Sequence, residues 1–141
     1  MSLFGTLSIA GSGMSAESER LSAIASNIAN ANSAVGNAGQ PYRAREVVFQ
    51  AVSQQGGADD SDPSSAGMDG VRVAAVVESD APSRPVYDPS SSFADGNGYV
   101  QMPNVNPVDE MVNMISAQQD YQANLEAFNV AKTLALRTLS I

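Results

Sequence analysis

The sequence predicts a mainly α-helical protein with a small β insert, in which two long terminal helices pair as an antiparallel coiled coil. Apolar residues recur in alternating steps of three and four over the first 32 residues and again from residue 107 to residue 139. Between these segments lie two β-branched runs of strand length and a stretch rich in Gly, Pro and Ser. We therefore divide the chain into an N-terminal helix at 1–35, a β insert at 36–105 and a C-terminal helix at 106–141.

The predicted N-terminal helix has an apolar stripe that only Glu17 interrupts. The other members of the stripe are Leu3, Leu7, Ala10, Met14, Leu21, Ile24, Ile28 and Ala31. Gly11 and Gly13 lie within the helix, where each glycine costs about 1 kcal/mol relative to Ala. Asparagines cluster near the end, and Gly36 suits a helix C-cap. The helix is therefore expected to end shortly before Gly36.

The predicted C-terminal helix has a clear start signal. Asn106 suits the N-cap and Pro107 the first helical position, while Asp109 and Glu110 complement the positive end of the helix dipole. We interpret these two carboxylates entirely as dipole complements rather than as a general acid and base. The predicted stripe comprises Met111, Met114, Gln118, Tyr121, Leu125, Phe128, Lys132, Ala135 and Leu139.

The middle of the chain predicts extended structure. Residues 45–52 and 71–78 are strand-like runs that form a hairpin, joined across the acidic, Gly- and Ser-rich loop at 56–67. Three prolines, Pro82, Pro85 and Pro89, then predict an irregular extended strap. Residues 98–102 predict one further short strand.

Composition excludes several function classes. The chain has no His and no Cys, so it holds no Ser-His-Asp or Cys-His nucleophile pair, no structural zinc site and no disulfide. Residues 46–110 carry eleven acidic residues against two Arg, and the chain offers no basic patch for nucleic acid. No segment approaches the roughly 18 apolar residues of a membrane span. We expect no enzymatic activity, no cofactor, no metal, no nucleic acid, no small-molecule substrate and no integral membrane segment.

The end of the C-terminal helix is apolar around most of its circumference. A helix that pairs with one partner needs a single apolar stripe, so the remaining faces must be covered by other subunits or by the β insert folding back over them. Small residues at 23–32 similarly indicate either close helix approach or a frayed helix end. The candidate assembly residues are Leu21, Ile24, Asn27, Ile28, Asn30, Met111, Met114, Tyr121, Asn124, Leu125, Phe128, Leu134, Leu136, Leu139 and Ile141.

Several short motifs resemble those of bacterial flagellar axial proteins. Residues 26–32 (SNIANAN) resemble the N-terminal signature of rod, hook and hook-associated proteins. Motifs similar to those of basal-body rod proteins lie at residues 41–43, 47–49, 87–89, 98–100, 103–106, 110–115 and 121–124. The resemblance covers nearly the whole chain.

The resemblance implies a structural subunit of the proximal rod, whose terminal helices polymerise into a torque-transmitting tubular drive shaft across the periplasm. It implies as partners further copies of the chain, other proximal and distal rod proteins, the rod-base adaptor and the flagellar type III export apparatus. No basic region precedes an apolar core near residue 1, so we expect export without a cleaved signal peptide. The alternative is a soluble helical binding module or an export chaperone for an axial protein.

Overall fold

The computed structural model describes residues 3–34, 40–53 and 69–139, which form two long helices and two small antiparallel sheets. The elements are α1 (Leu3–Asn30), β1 (Arg45–Ser53), β2 (Asp69–Glu78), β3 (Arg84–Tyr87), β4 (Tyr99–Met102) and α2 (Pro107–Leu139). The helices contain 28 and 33 residues, so the predicted class of a mainly helical protein with a β insert is confirmed. Within the described ranges, neither helix combines the length and the apolarity needed to cross a membrane.

The predicted start of α2 is confirmed. The Asn106 side-chain oxygen accepts a hydrogen bond from the Val108 amide at 3.2 Å, as an N-cap should. Its side-chain nitrogen donates to Asp109 Oδ2 at 2.7 Å, which orients that carboxylate at the positive end of the helix. Pro107 takes the first helical position, where its missing N–H leaves no intrahelical bond unmade.

The end of α1 lies at Asn30, within the predicted asparagine cluster. The Asn30 side chain turns back along the helix and donates to the Ser26 carbonyl at 2.8 Å. Ser33 N–H then bonds the Asn30 carbonyl at 3.0 Å, so the chain closes one further turn after the helix. Gly36, the predicted cap, lies outside the described residues.

Strands β1 and β2 form the predicted hairpin. They pair antiparallel from Arg45 opposite Glu78 to Ser53 opposite Asp69, with a register shift between Val48 and Phe49. A bulge of this kind increases the local twist of a two-stranded ribbon. The predicted acidic loop at 56–67 lies outside the described residues.

The prediction of an irregular strap is wrong for residues 84–87. These residues form β3, which pairs antiparallel with β4 and places Tyr87 opposite Tyr99, with ring centroids 5.3 Å apart. Pro85 is accommodated because each strand of a two-stranded sheet is an edge strand, where one missing N–H costs no ladder bond. Gly98 has a φ of 83°, and a Cβ there would lie 2.9 Å from Tyr87 Cε2, so this turn requires glycine.

Helices α1 and α2 pack side by side, and their contacts run in opposite directions along the two helices. Near the middle of the pair, Arg20 Nη1 lies 3.6 Å from Asp120 Oδ2. Further along α1, Asn27 Nδ2 donates to Glu110 Oε2 at 3.1 Å, near the start of α2. The β1–β2 hairpin lies against the same α1 helix, since the Val71 amide donates to Ser12 Oγ at 3.1 Å.

Small residues allow the two helices to approach closely. A Cβ on Gly13 of α1 would lie 2.9 Å from the side-chain nitrogen of Asn124 on α2. Ala117 and Ala131, seven residues before and after Asn124, are both buried. α1 is continuous through Gly13, so the helix accepts the propensity cost of a glycine at a point of close packing.

The predicted apolar stripe of α2 is half right. Its half-buried members are Met114, Tyr121, Phe128 and Ala135, whereas Met111, Gln118, Leu125 and Lys132 are exposed. The residues that alternate with the half-buried members are Glu110, Ala117, Asn124 and Ala131, each one position earlier than predicted. On α1, Ala10, Ile24 and Ala31 are buried as predicted. At every second position of the stripe, therefore, the less exposed residue is the one before the predicted residue. The large apolar side chains of Met111 and Leu125 consequently lie on the outside of the helix pair.

Candidate functional site: a helix–sheet junction and an exposed helix face

Asn27 is the centre of a buried polar junction between α1, β1 and α2. Its side chain is 1% exposed. The amide nitrogen donates to the Arg45 carbonyl at 2.9 Å and to Glu110 Oε2 at 3.1 Å. The amide oxygen accepts from the Arg45 N–H at 2.8 Å and from the Tyr42 hydroxyl at 2.9 Å. These four bonds use both donors and both lone pairs of the amide, so the burial of this polar side chain leaves nothing unpaired.

The Asn27 amide substitutes for a neighbouring strand. Arg45 is the first residue of β1, and both its N–H and its C=O turn away from β2 toward α1. An edge strand otherwise leaves such groups without a partner when they are buried. An asparagine amide presents an N–H and its C=O side by side, as one residue of a neighbouring antiparallel strand does, so it pairs with both groups of Arg45 at once.

A second asparagine, Asn104, ties the two ends of the β1–β2 hairpin together. Its oxygen accepts from the Ala44 amide at 2.7 Å, and its nitrogen donates to the Ala81 carbonyl at 2.9 Å. The Ser79 amide completes the arrangement by donating to the Ala44 carbonyl at 2.8 Å. The residues just outside both strands are therefore fixed to the segment that enters α2.

The junction is closed by a small apolar cluster. Ala31, Ala44 and Val105 are buried together, and Tyr42 packs against them. The Tyr42 hydroxyl also lies 3.1 Å from Ser26 Oγ, while the Arg45 guanidinium lies 5.8 Å from the Tyr42 ring centroid. The cluster joins three sequence motifs, at 26–32, 41–43 and 103–106, that are far apart along the chain. These motifs therefore act together as one joint that sets the position of the β insert on the helices.

The structure divides the candidate assembly residues into three groups. Buried or half-buried are Leu21, Ile24, Asn27, Ile28, Asn30, Met114, Tyr121, Asn124 and Phe128. Exposed on α2 are Met111, Leu125, Leu134 and Leu136. The backbone of Leu139 ends α2, but its side chain and the whole of Ile141 lie outside what the structure describes.

Sequence reasoning missed the role of Glu110. Its position in the first turn of α2 predicts a complement to the helix dipole, yet its carboxylate accepts a hydrogen bond from Asn27 across the helix pair. It also missed Tyr42, whose hydroxyl bonds both Ser26 and Asn27. No local signal identifies these contacts, because the partners are separated by 15 to 83 positions in sequence.

A charged cluster lies on the helix pair next to the junction. Arg20 Nη1 lies 3.5 Å from Glu17 Oε2 and 3.6 Å from Asp120 Oδ2, so one cation serves two carboxylates. Burial raises the pKa of the Glu17 carboxyl, and the neighbouring charge of Asp120 raises it further, while Arg20 opposes the shift. The ionised form of Glu17 therefore slightly destabilises the folded chain.

Replacing Glu17 with Gln is expected to raise the free energy of unfolding at neutral pH, by up to about 1 kcal/mol, the size of one partly screened charge pair. The folded chain binds the Glu17 proton more tightly than the unfolded chain does, so stability falls as pH rises from the ordinary carboxyl range through the raised pKa. Above the raised pKa, the Glu17→Gln variant should therefore exceed the wild type in free energy of unfolding by the full amount. Below the ordinary pKa of a carboxyl group, this difference in stability should disappear.

Urea denaturation at neutral and at acidic pH measures this effect, with the exposed neighbour Glu19→Gln as the control. A Glu17→Gln variant that is less stable than the wild type at neutral pH would show that the ion pair with Arg20 outweighs burial.

The side of α2 that faces away from α1 carries exposed apolar residues at both ends. Val108, Met111, Val112 and Ile115 near its start are each more than half exposed. Near its end Val130, Leu134 and Leu136 are also exposed, so no described part of the β insert covers them. The described ranges contain no cluster of three or more residues able to ligate a metal. The exposed apolar residues of α2 offer contact surfaces.

Two family models match the parts of the chain that form the helix pair and the junction. The model described as "Flagella basal body rod protein" matches residues 7–36, and that described as "Flagellar basal body rod FlgEFG protein C-terminal" matches residues 97–141. A pair of terminal helices with a β insert, matched at both ends by these models, places the chain in the class of flagellar basal-body rod proteins.

Full-length relatives define the family more narrowly. The flagellar basal-body rod protein FlgC of Salmonella typhimurium is 50% identical over all of this chain and 98% of the relative. FlgC of Escherichia coli O157:H7 is 48% identical over all of this chain and 98% of the relative, and FlgC of Bacillus subtilis is 33% identical over all of this chain and 99% of the relative. The chain belongs to the FlgC family and is a structural subunit of the flagellar basal-body rod.

Proposed function

We propose that this chain polymerises through its terminal helices into the tubular proximal rod, a drive shaft that transmits torque across the periplasm. The observation that carries the proposal is the apolar side of α2 that the folded chain leaves uncovered. Val108, Val112 and Val130 are each at least 60% exposed, although Ala117 and Ala131 on the opposite side are buried against α1. A helix that is apolar on two sides buries both when a second surface covers the outer one.

The unit that polymerises is an antiparallel coiled coil of α1 and α2. Support comes from the order of the contacts, in which Asn27 reaches Glu110 and Arg20 reaches Asp120. The interior residues of α2 also follow alternating steps of four and three, the spacing of a coiled-coil seam. Paired helices are stiffer than single ones, and the Asn27 junction fixes the β insert to them. Such a subunit can pass load between neighbours without unfolding.

Repeated contacts between the subunits provide the strength of the shaft. A head-to-tail contact that does not close on itself generates a helical assembly in which many weak contacts share the load. The proposed partners are further copies of this chain, other proximal and distal rod proteins and the rod-base adaptor. The flagellar type III export apparatus would deliver the chain to its site of assembly. We propose no enzymatic role and no cofactor.

Electron microscopy of isolated basal bodies tests the proposal directly. In a flagellated bacterium that produces this chain in place of its own FlgC, the chain should occupy a helical array in the rod, and cells lacking it should be non-motile without completed rods. The alternative is a soluble binding module or an export chaperone for an axial protein. A one-to-one soluble complex, with no density in the rod, would favour that alternative.

Intact mass measurement tests whether export leaves the N-terminal helix in place. α1 packs along α2 and supplies Ala10, Ala16 and Ile24 to its buried side, so loss of some 15–30 residues, the length of a cleaved secretion signal, would remove much of the helix pair. Protein recovered from assembled rods should therefore begin at Met1 or Ser2. A recovered chain that begins within or beyond α1 would contradict both unprocessed export and the paired-helix subunit.

A further inference from the structure

The outer side of α2 carries two separate apolar patches rather than one continuous stripe. We call the first the leading patch; it consists of Val108, Met111, Val112 and Ile115. The second, the trailing patch, surrounds a shallow groove of about 320 Å³ lined by Asn129, Val130, Thr133, Leu134 and Arg137. The exposed residues between the patches on this side are three polar residues, Gln119, Gln122 and Glu126, and one small apolar residue, Ala123; we call this stretch the polar interval.

The two patches lie on the same line along the helix. Val112 and Val130 are 18 residues apart, as are Ile115 and Thr133. Eighteen residues make five turns of an α-helix, so these pairs share one side and are separated by roughly 27 Å. A straight neighbouring helix that covers one patch can therefore reach the other only by extending along the full polar interval.

Charge distinguishes the patches from each other. The first turn of α2 carries the exposed Asp109, and its last turn carries the exposed Arg137. Two leading patches in contact would bring acidic residues together, and two trailing patches would bring cations together, so self-pairing of either patch is opposed. Contact between a leading and a trailing patch brings opposite charges together. It also brings the positive end of one helix dipole near the negative end of another.

We propose that the trailing patch of one copy of this chain binds the leading patch of the next copy, with Met111 entering the groove beside Leu134. This inference rests on the proposed function, because it names the partner of the exposed α2 side. An antiparallel pair of α2 helices would also join opposite patches, but it would cover all four patches of the two copies and stop growth. The staggered head-to-tail contact leaves one patch free at each end, as polymerisation requires.

Cysteine cross-linking tests the contact, because the natural chain contains no Cys. The Met111→Cys/Leu134→Cys double variant is produced in a flagellated host in place of its own FlgC, and isolated basal bodies are treated with a short bismaleimide. The denatured products should form a ladder of dimers, trimers and larger multimers of this chain. The Ile115→Cys/Val130→Cys variant is an independent second pair that should form the same ladder.

The matched control is Gln122→Cys/Leu134→Cys, which moves one thiol to the polar interval on the same side of the helix. We expect roughly tenfold less multimer from it, since a contact raises the effective concentration only of groups that it brings together. Met111→Cys alone and Leu134→Cys alone should give little dimer, whereas cells that produce both single variants should give the cross-linked pair.

Three results would overturn the inference. Dimers without larger species from both double variants would indicate the closed antiparallel pair. Homodimers from either single variant would indicate self-pairing of one patch. Normal rods with no ladder above the control would show that the patches contact a different rod protein, and this result would leave the proposed function intact. The proposed function itself fails if the wild-type chain is absent from the isolated rods.

Discussion

Replacing Asn27 with Leu should destabilise the chain by about 3–5 kcal/mol, because several partly buried groups lose their hydrogen bonds to Asn27 and each group left unsatisfied costs about 1–3 kcal/mol. The groups left without their Asn27 partner are the N–H and C=O of Arg45, the Tyr42 hydroxyl and the Glu110 carboxylate. Leucine fills a volume similar to that of asparagine, so the effect reports the hydrogen bonds rather than a cavity. A loss of this size is a large part of the 5–15 kcal/mol that typically stabilises a domain.

Urea denaturation followed by circular dichroism measures the loss in the purified full-length chain. The matched control is Asn30→Leu, three residues along the same helix, because among the described residues the Asn30 side chain donates to the Ser26 carbonyl of its own helix. Its replacement should cost less than about 1 kcal/mol, as for a substitution outside a buried network. Equal effects of the two substitutions would show that the Asn27 junction does not hold the β insert to the helices.

Removing the trailing end of α2 should abolish incorporation into the rod while leaving the chain produced. Deletion of residues 134–141 removes Leu134 and Leu136, which are exposed in the folded chain. Burying the remaining exposed half of one such side chain contributes about 1 kcal/mol, and a subunit makes this contact once for each neighbour. Cells that carry the deletion should be non-motile and should lack completed rods by electron microscopy.

The single substitution Leu134→Asp separates assembly from folding. It keeps the chain length and the half-buried Ala135 on the side of α2 that faces α1, but it places an unpaired charge on the outer surface. Burying that charge in a contact costs several kcal/mol. We expect wild-type unfolding in urea together with loss of rod assembly. Gln122→Asp, on the polar interval of the same side, should assemble normally; normal rods from Leu134→Asp would show that this side of α2 is not a contact surface.

Local sequence signals determined where most elements begin and end. Asn106 and Pro107 specify the start of α2, because an N-cap and a first-turn proline act through groups two residues away. The β-branched runs specify β1 and β2 for a similar reason, since strand preference depends on each side chain and its near neighbours. The resemblance of the short motifs to flagellar axial proteins also identified the family that the full-length relatives define.

The phase of the helix contact could not be read from the period. A repeat of alternating fours and threes fits α2 in more than one phase, and the predicted phase contains the larger apolar residues Met111 and Leu125. The folded pair instead places Ala117, Asn124 and Ala131 inside, where Asn124 lies against Gly13. Small side chains permit a close approach of the two helices, so Met111 and Leu125 remain outside and become available to a neighbour.

The role of the asparagine motif was decided only by tertiary structure. From the sequence, residues 26–32 predicted either close helix packing or a frayed helix end, because local patterns contain no information about a distant backbone. In the folded chain the Asn27 amide pairs with the Arg45 peptide groups and with Glu110, 18 and 83 positions away. A hydrogen bond depends on distance and angle in space. The sequence therefore provides an amide that can form four hydrogen bonds, and the tertiary structure alone determines which groups are its partners.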